Sequence, residues 1–133
     1  MSSTKTSLRK IGTICVPTRN HDAMLAFYTE KLGLEVFTDM VFGPDDSARW
    51  LEVRVPGTET TIALASPPPG VEVGGMMTGI IFETADVDAI HAELKAAGVD
   101  VDDEVSRMGD PVPPMFWLRD PEGNVLMINE FER

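Results

Sequence analysis

The feature that most constrains this chain is an internal repeat. Ala23–Val36 (AMLAFYTEKLGLEV) and Asp88–Val101 (DAIHAELKAAGVDV) each read as an amphipathic helix, a glycine and an extended segment. The copies lie roughly 65 residues apart, about half the chain, so two similar modules share one core. In the second copy Val87, Ile90, Leu94 and Ala97 fall on one helical face, and in the first Leu25, Tyr28 and Leu32 do the same. Asn20 and Asp86 stand where a side chain caps the first backbone N–H groups of a helix. Gly33 and Gly98 stand where a helix ends in a left-handed residue.

Strand signals bracket each helix. Ile11–Val16 precedes the first and Met77–Thr84 the second. After the first helix come Leu34–Thr38, Arg49–Val55 and Thr60–Ser66, and after the second Val99–Val105, Pro114–Arg119 and Asn124–Glu130. Pro56-Gly57 turns the last pair in one half and Asp120-Pro121-Glu122-Gly123 in the other. Each half therefore reads β-α-β-β-β. The expected organisation is one α+β domain over 1–133, with a first module at 8–66, a Pro/Gly linker at 67–75 and a second module at 76–133. The linker run Pro67-Pro68-Pro69-Gly70 is stiff. Three strands after each helix exclude a doubly wound βα alternation.

Composition narrows the setting. A net charge of -11 disfavours nucleic acid phosphates and anionic membrane surfaces as partners. No apolar run approaches the roughly 20 residues that span a bilayer, and the N-terminal MSSTKTSLRK has no apolar stretch of signal-peptide length behind it. The lone Cys15 excludes an internal disulfide and fits a reducing compartment, so a cytoplasmic location is expected.

Two βαβββ modules, a helix ending FYTEKLGLEV and a late hairpin reading FWLRDPEGNVLMINE resemble the vicinal-oxygen-chelate superfamily, which includes glyoxalase I, extradiol dioxygenases, fosfomycin-resistance enzymes and bleomycin-binding proteins. The resemblance covers nearly the whole chain. It implies the glyoxalase/bleomycin-resistance fold, a curved mixed sheet round a small-molecule cavity, and homodimers, in some relatives with modules paired across chains. It also implies a divalent metal held by His, Gln or Glu on the first and last strand of each module. Carried over position by position, those ligands fall on Thr13, Ala63, Gly79 and Met127. None is a ligand for a hard or borderline ion, and a slip of one residue brings in nothing better. The two histidines, His21 and His91, lie on the helices: His21 reads as a solvated first-turn residue and His91 as a flank of the apolar stripe. No standard metal cofactor is therefore expected.

Strand alternation sorts the remaining candidates. Ile14, Val16, Leu51, Val53, Val55, Ile62, Leu64, Ile80, Phe82, Phe116, Leu118, Leu126 and Ile128 should face the helices. The opposite, concave side then carries both tryptophans, two methionines, Cys15 and several small residues, the build of a small-molecule site. The candidate ligand-binding residues are Trp50, Glu52, Arg54, Arg107, Met115, Trp117, Met127 and Asn129. Trp50 and Trp117 can stack on a planar ligand, while Glu52, Arg54 and Asn129 supply charge and orientation. Arg107 is included because it falls near a position that contacts substrate anions in the fosfomycin-resistance branch. No phosphate loop or nucleophile elbow is present, but Glu52 and Glu83 form a conceivable acid/base pair if burial raises one of them. Three readings stand at this stage: a metal-free protein that sequesters a hydrophobic or aromatic compound; an enzyme, either a lyase, isomerase or dioxygenase with an atypical site; and a non-catalytic interaction module. The residues leave catalysis open.

Overall fold

The computed structural model describes residues 6–131. It is an α+β structure of two four-stranded mixed sheets. The first module contains β1 (Thr13–Pro17), α1 (His21–Ala26), β2 (Glu35–Phe42), β3 (Ala48–Arg54) and β4 (Thr61–Ala65). The second contains β5 (Met77–Thr84), α2 (Val87–Ala96), β6 (Asp100–Val101), β7 (Met115–Arg119) and β8 (Val125–Glu130). The sheet orders, β1-β4-β3-β2 and β5-β8-β7-β6, are the same arrangement twice. In each, the first strand runs parallel to the last and forms one edge of the sheet.

The capping residues act as their positions imply. The side chains of Asn20 and Asp86 accept from the N–H groups of Ala23 and Ala89 at 3.1 and 3.0 Å. Gly33 and Gly98 end the helical segments at φ 76° and 81°, where a Cβ is strained. Between Ala26 and Gly33 the helix widens: Phe27–Lys31 is π-helical. The wide turn seats both Phe27 and Tyr28 in the core, their rings edge to face at 5.2 Å.

Helix-side residues of both sheets meet in one core. Val16, Leu51, Val53 and Leu64 from the first module join Phe116, Leu118 and Leu126 from the second, with Met24, Tyr28 and Leu94 from the helical segments. Fully burying one such aliphatic side chain contributes about 1.5–3 kcal/mol. Most of the expected helix-facing set is buried, but Val55, at the end of the β3–β4 hairpin, is exposed.

Two expected strands differ. The segment expected as Val99–Val105 is a strand only over Asp100–Val101. Asp102 ends it, because its carboxylate accepts from the backbone N–H of Trp117 (3.2 Å) and from Arg119 (2.8 Å), which turns the chain out of the ladder. Conversely β2 extends four residues beyond the expected Thr38, to Phe42, along the full length of β3.

A buried polar network ties the modules together. The phenol of Tyr28 donates to Asp120 Oδ2 at 3.0 Å. Asp120 also accepts from the N–H groups of Glu122 and Asn124 and from the Asn124 side chain, at 2.9–3.0 Å. Two residues on, the Glu122 carboxylate accepts from the Thr18 hydroxyl and the Arg19 N–H. The DPEGN turn of one module therefore anchors both ends of α1 in the other.

Candidate functional site

Because the two sheets pack through their helix sides, their other faces point away from the core. The first open face carries the rows Cys15–Ala63–Glu52–Thr38 and Pro17–Ala65–Trp50–Met40, read across β1, β4, β3 and β2. The second carries Ile81–Met127–Trp117 and Glu83–Asn129–Met115 across β5, β8 and β7. Six of the eight candidate residues thus fall into two groups: Trp50 and Glu52 on one sheet, and Met115, Trp117, Met127 and Asn129 on the other.

Trp50 and Glu52 form a fixed unit. The indole Nε1–H donates to Glu52 Oε2 at 2.8 Å. The Thr61 hydroxyl donates to Oε1, and Thr13 Oγ1 lies 3.3 Å from the same oxygen and 2.9 Å from Thr61 Oγ1. Burial, the largest single influence, pushes the Glu52 carboxyl up, but the hydrogen bonds from Thr61, Trp50 and Thr13 together outweigh it and hold the group below the usual carboxylate range. Glu52 is therefore a stabilised anion. These donors oppose the raised carboxyl on which an acid/base role for Glu52 depends. Its conceived partner Glu83 stands on the other sheet.

On the second face Met127 and Asn129 are buried at the floor, and Met115 and Trp117 are half-buried beside them. Asn129 is 8% exposed, and its amide oxygen has no hydrogen-bond partner.

The two remaining candidates are engaged elsewhere. Arg54 donates from Nε to Glu35 at 2.7 Å and lies 4.9 Å over the Phe37 ring. Arg107 reaches to Asp88 on α2 at 2.6 Å, and that hydrogen bond raises the guanidinium's pKa. The histidines also differ from expectation in part. His21 is half-buried, with Nε2 enclosed and unpartnered, rather than solvated. His91 Nε2 lies 2.7 Å from the Asp102 carbonyl oxygen, with the ring edge-on to Phe116.

A cavity of about 760 Å³ opens at the seam between modules. Ile14 and Ile62 from one sheet and Ile80, Phe82 and Ile128 from the other line it, with Arg54 and Glu83 also on its wall. Of the eight candidates only Arg54 belongs to it. Alternation along the strands could not find this cavity, because its wall mixes helix-side residues of both modules with the β3–β4 hairpin.

The four positions at which the resemblance places a metal do not fit one. They offer a hydroxyl, a methyl group, no side chain and a thioether. The register sets Cys15 opposite Ala63 and Ile81 opposite Met127. Gly79 lies in a bulge of β5 at φ 74°. Among the described residues no three His, Cys, Asp or Glu side chains are grouped to hold an ion, and no helix is long and apolar enough to cross a membrane.

The sequence matches the family model of the glyoxalase/bleomycin resistance protein/dioxygenase superfamily over residues 10–128. It is 30% identical over 130 residues to the uncharacterized protein YetH of Bacillus subtilis (strain 168), covering 92% of this chain and 99% of the relative. Among solved structures it is similar to TnmS3, an antibiotic binding protein from Streptomyces sp. CB03234, at 28% identity and a TM-score of 0.81, over 96% of this chain and 100% of that one. A superfamily member from Sphaerobacter thermophilus DSM 20745 superposes with a TM-score of 0.83 at 26% identity, over 95% of this chain and 100% of that one.

Proposed function

This chain belongs to the glyoxalase/bleomycin resistance protein/dioxygenase superfamily, and from that premise we propose that it is a metal-free, cytoplasmic binding protein that sequesters a small hydrophobic or aromatic compound. One observation carries the reading: the positions that would hold a metal bear no suitable donors, while the same faces display Trp50, Trp117, Met115 and Met127 beside a few fixed polar groups. Aromatic and thioether walls with sparse polar groups suit a flat apolar ligand. The antibiotic-binding neighbour TnmS3 supports the same class of function. The stabilised Glu52 anion makes a poor general base near neutral pH, which weighs against the enzymatic reading.

The ligand site is completed by a second copy. Within one chain Trp50 and Trp117 stand on separate sheets, and Ile81 and Met77 on the edge strand β5 are 52% and 62% exposed. Exposed apolar groups beside an uncovered strand edge favour association. In a two-fold pair the first face of one protomer closes on the second face of its partner, bringing Trp50 and Trp117 to one cavity.

Elemental analysis of protein purified without chelators, followed by thermal unfolding against a panel of flat aromatic compounds, tests the reading. The expected result is metal far below one per chain and a raised melting temperature. A ligand at about a hundred times its Kd adds about 2.7 kcal/mol. Near-stoichiometric metal, or a panel that leaves the melting temperature unchanged, overturns it.

A further inference from the structure

The charge on the first open face is uncompensated. A carboxylate offers about four acceptor positions. Glu52 Oε1 takes the Thr61 hydroxyl and a share of the Thr13 proton, while among the described residues Oε2 takes only the indole N–H of Trp50. One acceptor position on Oε2 stays open, with the full negative charge behind it. No Lys or Arg pairs with Glu52 among the described residues. The nearest cation on the same strand face, Arg54, is spent on Glu35 at 2.7 Å.

The indole is positioned by the same bond. Trp50 is 37% exposed, with its N–H held on Glu52 two residues along the strand. Ala63 and Ala65, paired with Glu52 and Trp50, are buried although they carry only methyl groups. The result is a flat aromatic surface with an anionic acceptor fixed at its edge. The donors that hold Glu52 in its ionised state also fix its rotamer, so little ordering is left to occur on binding.

We propose that this Trp50–Glu52 unit is a subsite for a flat aromatic cation, the ring stacking on the indole and its N–H donor meeting Glu52 Oε2. The inference rests on the binding function proposed above and narrows its ligand class. Both groups favour a cation: the carboxylate through a charge-assisted hydrogen bond, and the indole face through its quadrupole. A flat anion of the same size is repelled by Glu52 and by the acidic chain as a whole.

The test compares three probes of similar three-ring outline by calorimetry on the intact protein at neutral pH: aminoacridine as the cation, xanthone as the neutral analogue without an N–H donor and an anthraquinone sulfonate as the anion. Aminoacridine is expected to bind about tenfold more tightly than xanthone, the scale of one hydrogen bond to a charged group, and the sulfonate more weakly than either. Glu52→Gln should remove the preference for the cation and leave xanthone unchanged. Glu93→Gln, on the exposed side of α2, makes the same change in net charge and should alter nothing. Equal wild-type affinities for aminoacridine and xanthone overturn the inference, and that comparison needs no variant to fold. Equal losses in Glu52→Gln and Glu93→Gln overturn it too, since general attraction by an acidic surface then accounts for the preference. Xanthone binding that ignores Glu52 in a protein with no cation preference removes this inference alone, whereas binding of none of the three removes the sequestering function as well.

Discussion

Tyr28 shows what one residue contributes to this fold. It is the chain's only tyrosine, it is fully buried, and its phenol reaches Asp120 ninety-two positions away. Tyr28→Phe removes the donor from a buried carboxylate and is expected to cost about 1–3 kcal/mol, read by urea denaturation. Burial, then the charge of Asp120 and the hydrogen bond to it, hold the phenol well above its ordinary range. A group whose pKa is raised on folding contributes stability below its unfolded pKa and loses it above. For tyrosine that loss begins near pH ~10. Phenolate absorbance should therefore stay absent in the folded protein and appear only with alkaline unfolding, and Tyr28→Phe should flatten that limb of the stability profile. A phenol that titrates reversibly in folded protein would contradict the burial. Both partners were visible in the sequence, as the FY and DPEGN motifs, but nothing in a linear pattern says that they touch. Glu52 was legible to the same degree: its face followed from alternation, while its donors Thr61 and Thr13 lie on other strands, and nothing in the pattern says that they reach it.

At the scale of elements, the helix caps and most strands were legible because they rest on local chemistry: Asn20 and Asp86 before apolar stripes, Gly33 and Gly98 after them. The elements that differed depend on partners distant in sequence. The π-helical turn at Phe27–Lys31 leaves the apolar stripe nearly unchanged, so periodicity does not register it. The early end of β6 depends on Asp102 reaching β7, which an acidic run alone does not announce. The linker shows the same dependence. Gly74 has φ 91°, and a Cβ there would stand 2.8 Å from the Glu122 carbonyl oxygen, beside the Gly75 N–H that donates to that same oxygen at 3.0 Å. Gly74→Ala combines left-handed strain with a backbone clash and is expected to destabilise by more than about 1 kcal/mol. Gly12→Ala, with open space at its Cβ and no left-handed φ, should fall within about 0.5 kcal/mol of the parent. Equal melting temperatures for the two variants would mean that the linker does not depend on the DPEGN turn.

For the whole molecule, the repeat foretold two modules and their faces but not how the modules face each other. That arrangement is decided by the buried contacts between them, Tyr28 with Asp120 and Thr18 with Glu122, which turn the helix sides inward and leave both Trp-bearing faces open. A chain folded this way exposes Met77 and Ile81 on β5, and neither tryptophan lines the seam cavity. The proposed function therefore makes oligomeric state and binding one question. Sedimentation at micromolar concentration is expected to give twice the 14.5 kDa chain mass. Ile81→Glu places a charge on the exposed edge strand while leaving the helix-side core intact. It should yield a folded monomer whose affinity for flat aromatic ligands falls together with the dimer, because Trp50 and Trp117 then lack each other. A wild-type monomer that binds such ligands as tightly as any dimer would place the site within one chain. The seam cavity, where Arg54 and Glu83 stand on a largely apolar wall, would then be the site to probe.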